Sequence, residues 1–465
     1  MAMLKRSLAI TGLLALAGCN QPRPEGVAGC SNDYYYFDQA EIDRLLPTQP
    51  PDYFARRFGG DAHAPDLYQE LATAIRAMPD GAAGEVRYLH ILVLSGGGQW
   101  GAYGAGFMKG WRAADNATGG AWRDAQEVLY PAQRRSDIDI VAGISTGAAQ
   151  TPAAYVGAVA DPELAAEADN RLADQYLAVT QDELIRARFG GEAAVLFSNS
   201  LYTVDGLEKR ANELVGAYYE AIRARPAWKR LYVGTVNLDR NRFTVVDLKA
   251  MVDRSPRPAT KQSIDCLAQS LLASAAVPLA FPPRFVDGYM YVDGNVRHGV
   301  FAAILFRQEE VRKAMRDKNI VPYVSVIING NLSADSYHTA APKPVENGGV
   351  AIATTAVSNM LDQVNKDSTY QIENDLIALF GVNSPSNRRY WSRYAYVDNK
   401  AIQKARDQLG YEECSQAVAA TSDLVFDPVF MKCLYKIGVD EGRRQAWRSF
   451  YQIPQPRISR PGPQL

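Results

Sequence analysis

Short unbroken apolar runs alternate along this chain with stretches of helical spacing. Tyr88 to Leu94 is a run rich in leucine, isoleucine and valine, the pattern of a parallel strand buried on both faces. After a glycine-rich turn, Gly101 to Trp111 reads as a helix in which Gly101, Gly104 and Gly106 permit close packing. The succession then repeats. Ile138 to Ala142 is a second short strand, and an alanine-rich helix runs from Thr146 to Val159. Strand, glycine turn and helix, twice over, predict an α/β layered fold with a mainly parallel sheet. Farther on, Arg230–Asn237 and Arg242–Leu248 flank Leu238-Asp239-Arg240-Asn241 as a hairpin, and Tyr323–Ile328 is another buried strand ending at Asn329-Gly330. Leu67 to Met78 has helical spacing, the tail is mostly helical in pattern, and Pro454 to Leu465 reads as unstructured. No internal repeat is visible.

The first residues follow a different logic. Lys5-Arg6 precedes a short apolar stretch from Ser7 to Leu16, too short to span a bilayer and typical of a secretory signal. Leu16-Ala17-Gly18-Cys19 resembles the lipobox of bacterial lipoproteins, which implies lipidation at Cys19; an ordinary signal with a chance cysteine is the alternative. Several acyl chains anchor a protein stably where one does not. Asn20, in place of the aspartate associated with inner-membrane retention, points to the outer membrane of a bacterial envelope. The resulting division is a signal peptide over 1–18, a tether and lead-in over 19–85, a main domain over 86–400 and an extension over 401–465. Tyr34-Tyr35-Tyr36-Phe37 in the lead-in is expected to dock on the main body, contact with lipid being the other reading.

Composition narrows the classes. The chain has 465 residues, 47% hydrophobic and 22% charged, which are globular values. A formal net charge of -1, with no long basic run, leaves no footprint for nucleic acid. Beyond Cys19 remain Cys30, Cys266, Cys414 and Cys433, enough for two disulfides in an exported protein. Three pairings are open, and Cys414 with Cys433 is the shortest closure, worth about 3 kcal/mol on the loop-entropy account. No C-x-x-C occurs and His63, His90, His298 and His338 are scattered, so neither a metal nor a cofactor is expected. Oligomeric state is not legible.

The candidate chemistry sits in the two turns. Gly143-Ile144-Ser145-Thr146-Gly147 has the G-x-S-x-G form of a nucleophile elbow, where Gly143 and Gly147 relieve crowding and a helix N-terminus favours deprotonation of Ser145. Ser95-Gly96-Gly97-Gly98-Gln99-Trp100-Gly101 offers bare main-chain N–H groups that can converge on an oxyanion. Gly96, Gly98 and Gly101 also satisfy the dinucleotide fingerprint, but Asp115, at the distance where that fold needs an acid, lies in no strand pattern. A general base is sought in Phe285 to Gly294, which holds two Asp-Gly pairs. Asp287-Gly288, between apolar runs, is a hairpin turn. Asp293-Gly294 follows the returning strand, where α/β proteins place chemistry, and Asp293 is the candidate base. A Ser–His–Asp triad would need His298 or His338, both read as surface or supporting residues.

Three ordered blocks together resemble the patatin-like phospholipase family. They are the glycine run, the elbow, and Ala273-Ser274-Ala275-Ala276-Val277-Pro278 leading to Phe281-Pro282-Pro283 and Asp293-Gly294. The likeness spans roughly Tyr88 to Val300, less than half the chain. It implies a three-layer patatin-like fold, with a mainly parallel central sheet, flanking helices and a helical C-terminal extension. It also implies a Ser–Asp dyad, Ser145 as nucleophile and Asp293 as base, with the amides of Gly96, Gly97, Gly98, Gln99 and Gly101 around the oxyanion. The expected activity is lipid acyl hydrolysis of the phospholipase A or lysophospholipase type, on membrane phospholipid or another lipid ester. An acyltransferase on the same scaffold and a non-catalytic acyl-binding lipoprotein are the alternatives. Two positions depart from the family pattern: Trp100, where a basic residue is common, and Asn295, where glycine or alanine is usual.

Overall fold

The computed structural model describes residues 23–24, 26–36, 67–82, 84–189, 198–332, 345, 347–383, 388–419 and 425–453. Cys19, His63, His338 and the tail from Pro454 lie outside these residues. A nine-stranded sheet organises the chain. Its strands are β1 (Tyr34–Tyr36), β2 (Arg87–Leu94), β3 (Ile140–Ile144), β4 (Arg230–Asn237), β5 (Arg242–Asp247), β6 (Arg284–Val286), β7 (Tyr289–Asp293), β8 (Ile320–Asn331) and β9 (Trp391–Val397). The order β4-β3-β2-β8-β9 is wholly parallel, and the expected parallel sheet is this half of the fold. Beyond β4 the sheet turns antiparallel through β5 and β1.

Alternation along the two central strands explains both layers. Leu92, Leu94 and Val141 point to one face, into a core shared with α2 (Gly101–Thr118) and α3 (Thr146–Val156). Ile91, Val93, Ile140, Ala142 and Ile144 point to the other, where α1 (Leu67–Arg76) supplies Leu67, Leu71 and Ile75. All eight strand residues are 1% exposed or less, hence the unbroken apolar runs.

The antiparallel half carries the hairpin anticipated between β4 and β5, with Asn237 opposite Arg242. Asp287-Gly288 is the two-residue turn of the β6–β7 hairpin, Val286 facing Tyr289. Both turn residues have positive φ, 48° and 77°, as a type I′ turn demands. Strand β4 is the pivot of the architecture. Its first half pairs in parallel with β3 up to Ile144–Gly234, while Thr235 onward pairs antiparallel with β7, beginning at Asp293. With β5 on its opposite edge, β4 holds β3 and β7 end to end in one lane, their C-terminal ends meeting.

The segments outside the main block are built into the domain, and the boundaries at 85/86 and 400/401 do not coincide with breaks in packing. β1 is an edge strand of the sheet, so the tyrosine cluster docks on the body, and Cys30 is disulfide-bonded to Cys266. Position 400 falls inside α9 (Asn399–Asp407), between the last parallel strand and the helices α10 (Glu412–Ala419) and α11 (Pro428–Arg443). A second disulfide, Cys414–Cys433, ties α10 to α11. Helix α11 lies backbone against backbone on α2: Gly106 and Gly110 face Tyr435 and Val439, and Gly438 and Gly442 face Tyr103 and Phe107, where any Cβ would overlap a carbonyl. Glycines four apart in each helix allow this approach. Among the described residues no helix is long and apolar enough to cross a membrane.

Candidate active site

Strand β3 ends at Ile144, and the chain reverses within one residue into α3. Ser145 takes the strain, with φ 55° and ψ -123°, a conformation that side-chain-bearing residues rarely adopt. The turn closes only because its flanks are bare. A Cβ on Gly143 would meet Gly147, and one on Gly147 would overlap the Leu94 and Ser95 carbonyls. The elbow is held from outside by Ser274, the last residue of α6 (Lys261–Ser274). The Ser145 N–H donates to Ser274 Oγ at 3.0 Å, and that hydroxyl donates to Gly234 O at 2.6 Å. Ser274 thus locks the elbow to the point on β4 where parallel pairing gives way to antiparallel. The N-terminus of α3 directs its positive end at Ser145.

Asp293 arrives at the same point from the opposite direction. Its N–H donates to Ala276 O at 2.9 Å, and its Oδ1 accepts from the Asn295 N–H at 2.8 Å. The side chain is fully buried, and among the described residues no hydrogen bond of ordinary geometry reaches Oδ2. Burial pushes the Asp293 carboxyl up to about 7, against smaller opposing effects of the Ser145 hydroxyl and the Asn295 N–H. Asp287, six residues earlier, plays a different part, its carboxylate capping the N–H groups of Gly29 and Cys30.

The glycine loop leaves β2 beside the elbow, with a Cβ position on Gly96 only 3.3 Å from Ser145 Cβ. Its N–H groups divide into two sets. Gly96 N–H donates to Gly299 O at 3.2 Å, Trp100 N–H to Gly97 O, and Gly101 N–H back to Gln99 O and Gly98 O. The N–H groups of Gly97, Gly98 and Gln99 have no acceptor among the described residues. The family resemblance implies five amides around the oxyanion; Gly96 and Gly101 instead spend their donors on shaping the loop. Gly97, at φ 144°, must be glycine, because a Cβ there would overlap the Asn329 carbonyl oxygen.

The remaining candidates fall elsewhere. Asp115 lies in α2, accepting from the Arg135 N–H at 2.7 Å, and is no ribose-binding acid at a strand end. His90 is half-buried on β2, its imidazole held neutral by desolvation that depresses it to about 3. His298 stands edge-on to Phe243 with ring centroids 4.6 Å apart. Among the described residues no group of three His, Cys, Asp or Glu side chains is placed to hold a metal ion.

Residues 92–306 match the sequence model of the patatin family, described as patatin-like phospholipase. The chain carries a patatin-like phospholipase domain. The family described by that model is one of lipid acyl hydrolases. A solved structure of VipD from Legionella pneumophila is similar at 14% identity and a TM-score of 0.31, over 79% of this chain and 69% of that one. No curated protein matches.

The two departures from the family motif now have a common physical reason. Trp100 packs edge-on against Phe430 of α11 at 5.1 Å, and Asn295 Nδ2 donates at 2.9 Å to the carbonyl of Leu361 on α8 (Gly349–Phe380). Both partners lie outside the patatin-like residues. Helix α8 also reaches the loop through Asn365 Nδ2, which donates to Gly96 O at 3.2 Å, and Ser368 Oγ, which accepts from Gly299 N–H at 2.9 Å. The Gln99 side chain accepts from the Asp427 N–H, at the start of α11. Sequence reading misses these supports and assigns no role to Ser274, although Ser274 lies inside the third motif block.

Proposed function

We propose that this chain is a serine lipid acyl hydrolase of the phospholipase A or lysophospholipase type, working through a Ser145–Asp293 dyad. The observation that carries this reading is the end-to-end meeting of β3 and β7 on β4, which brings a strained serine to a buried carboxylate beside unused main-chain donors. A carboxylate of ordinary pKa is a weak base toward a hydroxyl, and a buried one near 7 is far better matched. Asp293 Oδ2 takes the proton as Ser145 Oγ bonds to the ester carbonyl carbon. The N–H groups of Gly97, Gly98 and Gln99 receive the oxyanion, each donor supplying about 2.7–4 kcal/mol in the transition state. The proton passes to the departing alcohol as the ester bond breaks, leaving an acyl-serine. Water, giving a proton to Asp293, then attacks the acyl carbon, and Asp293 returns that proton to Ser145 Oγ as the fatty acid leaves.

The lipobox-like run before Cys19 supports a further element: lipidation there would hold the enzyme at a bacterial membrane, where its substrate is concentrated. Metabolic labelling with palmitate, lost in Cys19→Ala, is the expected result; unlabelled wild type overturns the anchor.

The decisive experiment is chromatography of products from mixed phospholipid vesicles, comparing wild type with Ser145→Ala. Free fatty acid and lysolipid from wild type alone support the hydrolase. Acyl transfer to an added alcohol in preference to water would favour the acyltransferase. Failure of a fluorophosphonate probe to label Ser145 would favour a non-catalytic acyl-binding protein.

A further inference from the structure

The loop that offers its N–H groups has two glycines at positive φ and little internal bonding, so something must hold it. The holder is Asn329, at the end of β8 and outside the patatin-like residues. Where β8 stops pairing with β2, the Asn329 N–H donates to Ser95 Oγ at 2.8 Å, and Ser95 Oγ donates on to Gly96 O at 2.8 Å. The Asn329 side chain grips the same residue again, Nδ2 donating to Ser95 O at 2.8 Å. That nitrogen also donates to Gln150 Oε1 at 3.0 Å, and Gln150 Nε2 donates to Gly101 O at 2.7 Å. Entry and exit of the loop are therefore fastened to one carboxamide, which is fully buried. The Asn329 carbonyl packs directly on the Cα of Gly97.

We propose that Asn329, acting through Ser95 and Gln150, is the positioning residue that aims the Gly97, Gly98 and Gln99 N–H groups at the oxyanion. The inference rests on the hydrolase reading above and deepens it. Asn329 touches no reacting atom. Its carboxamide supplies two donors to two acceptors that face each other across the loop, a role no apolar residue and no carboxylate performs. Gln150 belongs to the same device, because α3 also presents Ser145. Through Gln150, the helix that carries the nucleophile sets the distance to the donors.

The test uses Asn329→Asp, which keeps the shape and removes both donors, and Gln150→Met, which keeps the length and removes the polar link. Steady-state hydrolysis of a soluble chromogenic ester is measured for each, per folded molecule as counted by thermal melting. Misaimed donors weaken the transition state and leave ground-state binding alone. The expected result is kcat lower by about 10- to 100-fold with KM within about threefold of wild type. The double variant should fall little below the worse single one, since both act through one chain of bonds. If Asn329→Asp does not fold, Gln150→Met carries the test. Unchanged kcat per folded molecule, a change confined to KM, or fully additive losses would each overturn the inference. An inert wild type would overturn the hydrolase reading and this inference with it; an active wild type with unimpaired variants overturns this inference alone.

Discussion

The elbow and the glycine loop lie side by side and are stabilised in opposite ways. The elbow is nearly self-sufficient. Its two glycines, the strained serine and the start of α3 fall within five consecutive residues, and two outside hydroxyls, those of Ser274 and Tyr176, complete it. The loop depends on residues scattered from Gln150 to Asp427, on three helices and a strand. On the proposed mechanism, donors that stay unpaired within the protein until a transition state forms cannot be held by their own hydrogen bonds. Their geometry has to be imposed through neighbouring carbonyls and side chains.

The strongest challenge to this contrast is direct. Ser145→Ala should abolish ester hydrolysis, and Asp293→Asn should match it, both losing at least about 10⁴-fold in kcat. The asparagine variant has a second signature. Asp293 is raised to about 7, so its contribution to stability is present below its unfolded value near 3.8 and is lost as pH rises through 7. At pH 8 the variant escapes that cost, and its unfolding free energy should exceed wild type by on the order of 2 kcal/mol. A variant both inactive and no more stable would count against a buried, proton-hungry base.

Next in size is Gly97→Ala. The added methyl would drive the loop off the Asn329 carbonyl, so the melting temperature should drop and kcat, measured per folded molecule, should fall by about 100-fold or more. Near-normal kcat would mean the donors are not where the loop places them. Ser274→Ala should cost less, about 10-fold in kcat and about 1–2 kcal/mol in stability, because the Ser145 N–H and Gly234 carbonyl lose one shared partner. A loss as large as that of Gly97→Ala would dissolve the distinction between a self-sufficient turn and a dependent one. The pH dependence of kcat/KM sharpens it further: activity should rise with pH along a single limb centred near 7, as Asp293 becomes able to accept a proton. The smallest effect is His298→Ala, which should keep most of the activity; loss of acyl-enzyme formation there would replace the dyad by a triad.

Much of this is legible in the chain because the decisive features are local. A strand buried on both faces must be mostly apolar, so β2, β3 and β8 announce themselves. The elbow must carry small residues at Gly143 and Gly147, since neighbouring backbone leaves no room for a Cβ. Asp287-Gly288 and Asp293-Gly294 are separable by what flanks them, one between two strands and the other after the second. Neither dipeptide reveals its depth: Asp287 caps exposed N–H groups, whereas Asp293 is sealed from water.

The linear order of residues therefore singled out the groups on which the proposed chemistry rests: a serine at a forced turn, a run of bare amides, an aspartate at a strand end. Only the folded chain decided that β3 and β7 share one lane of β4, that burial leaves Asp293 hungry for a proton, and that Asn329 and the C-terminal helices support the amides. The reason is physical. A turn's backbone conformation is written in its own few residues, while the aim of a hydrogen-bond donor and the dielectric around a carboxylate come from atoms hundreds of positions away.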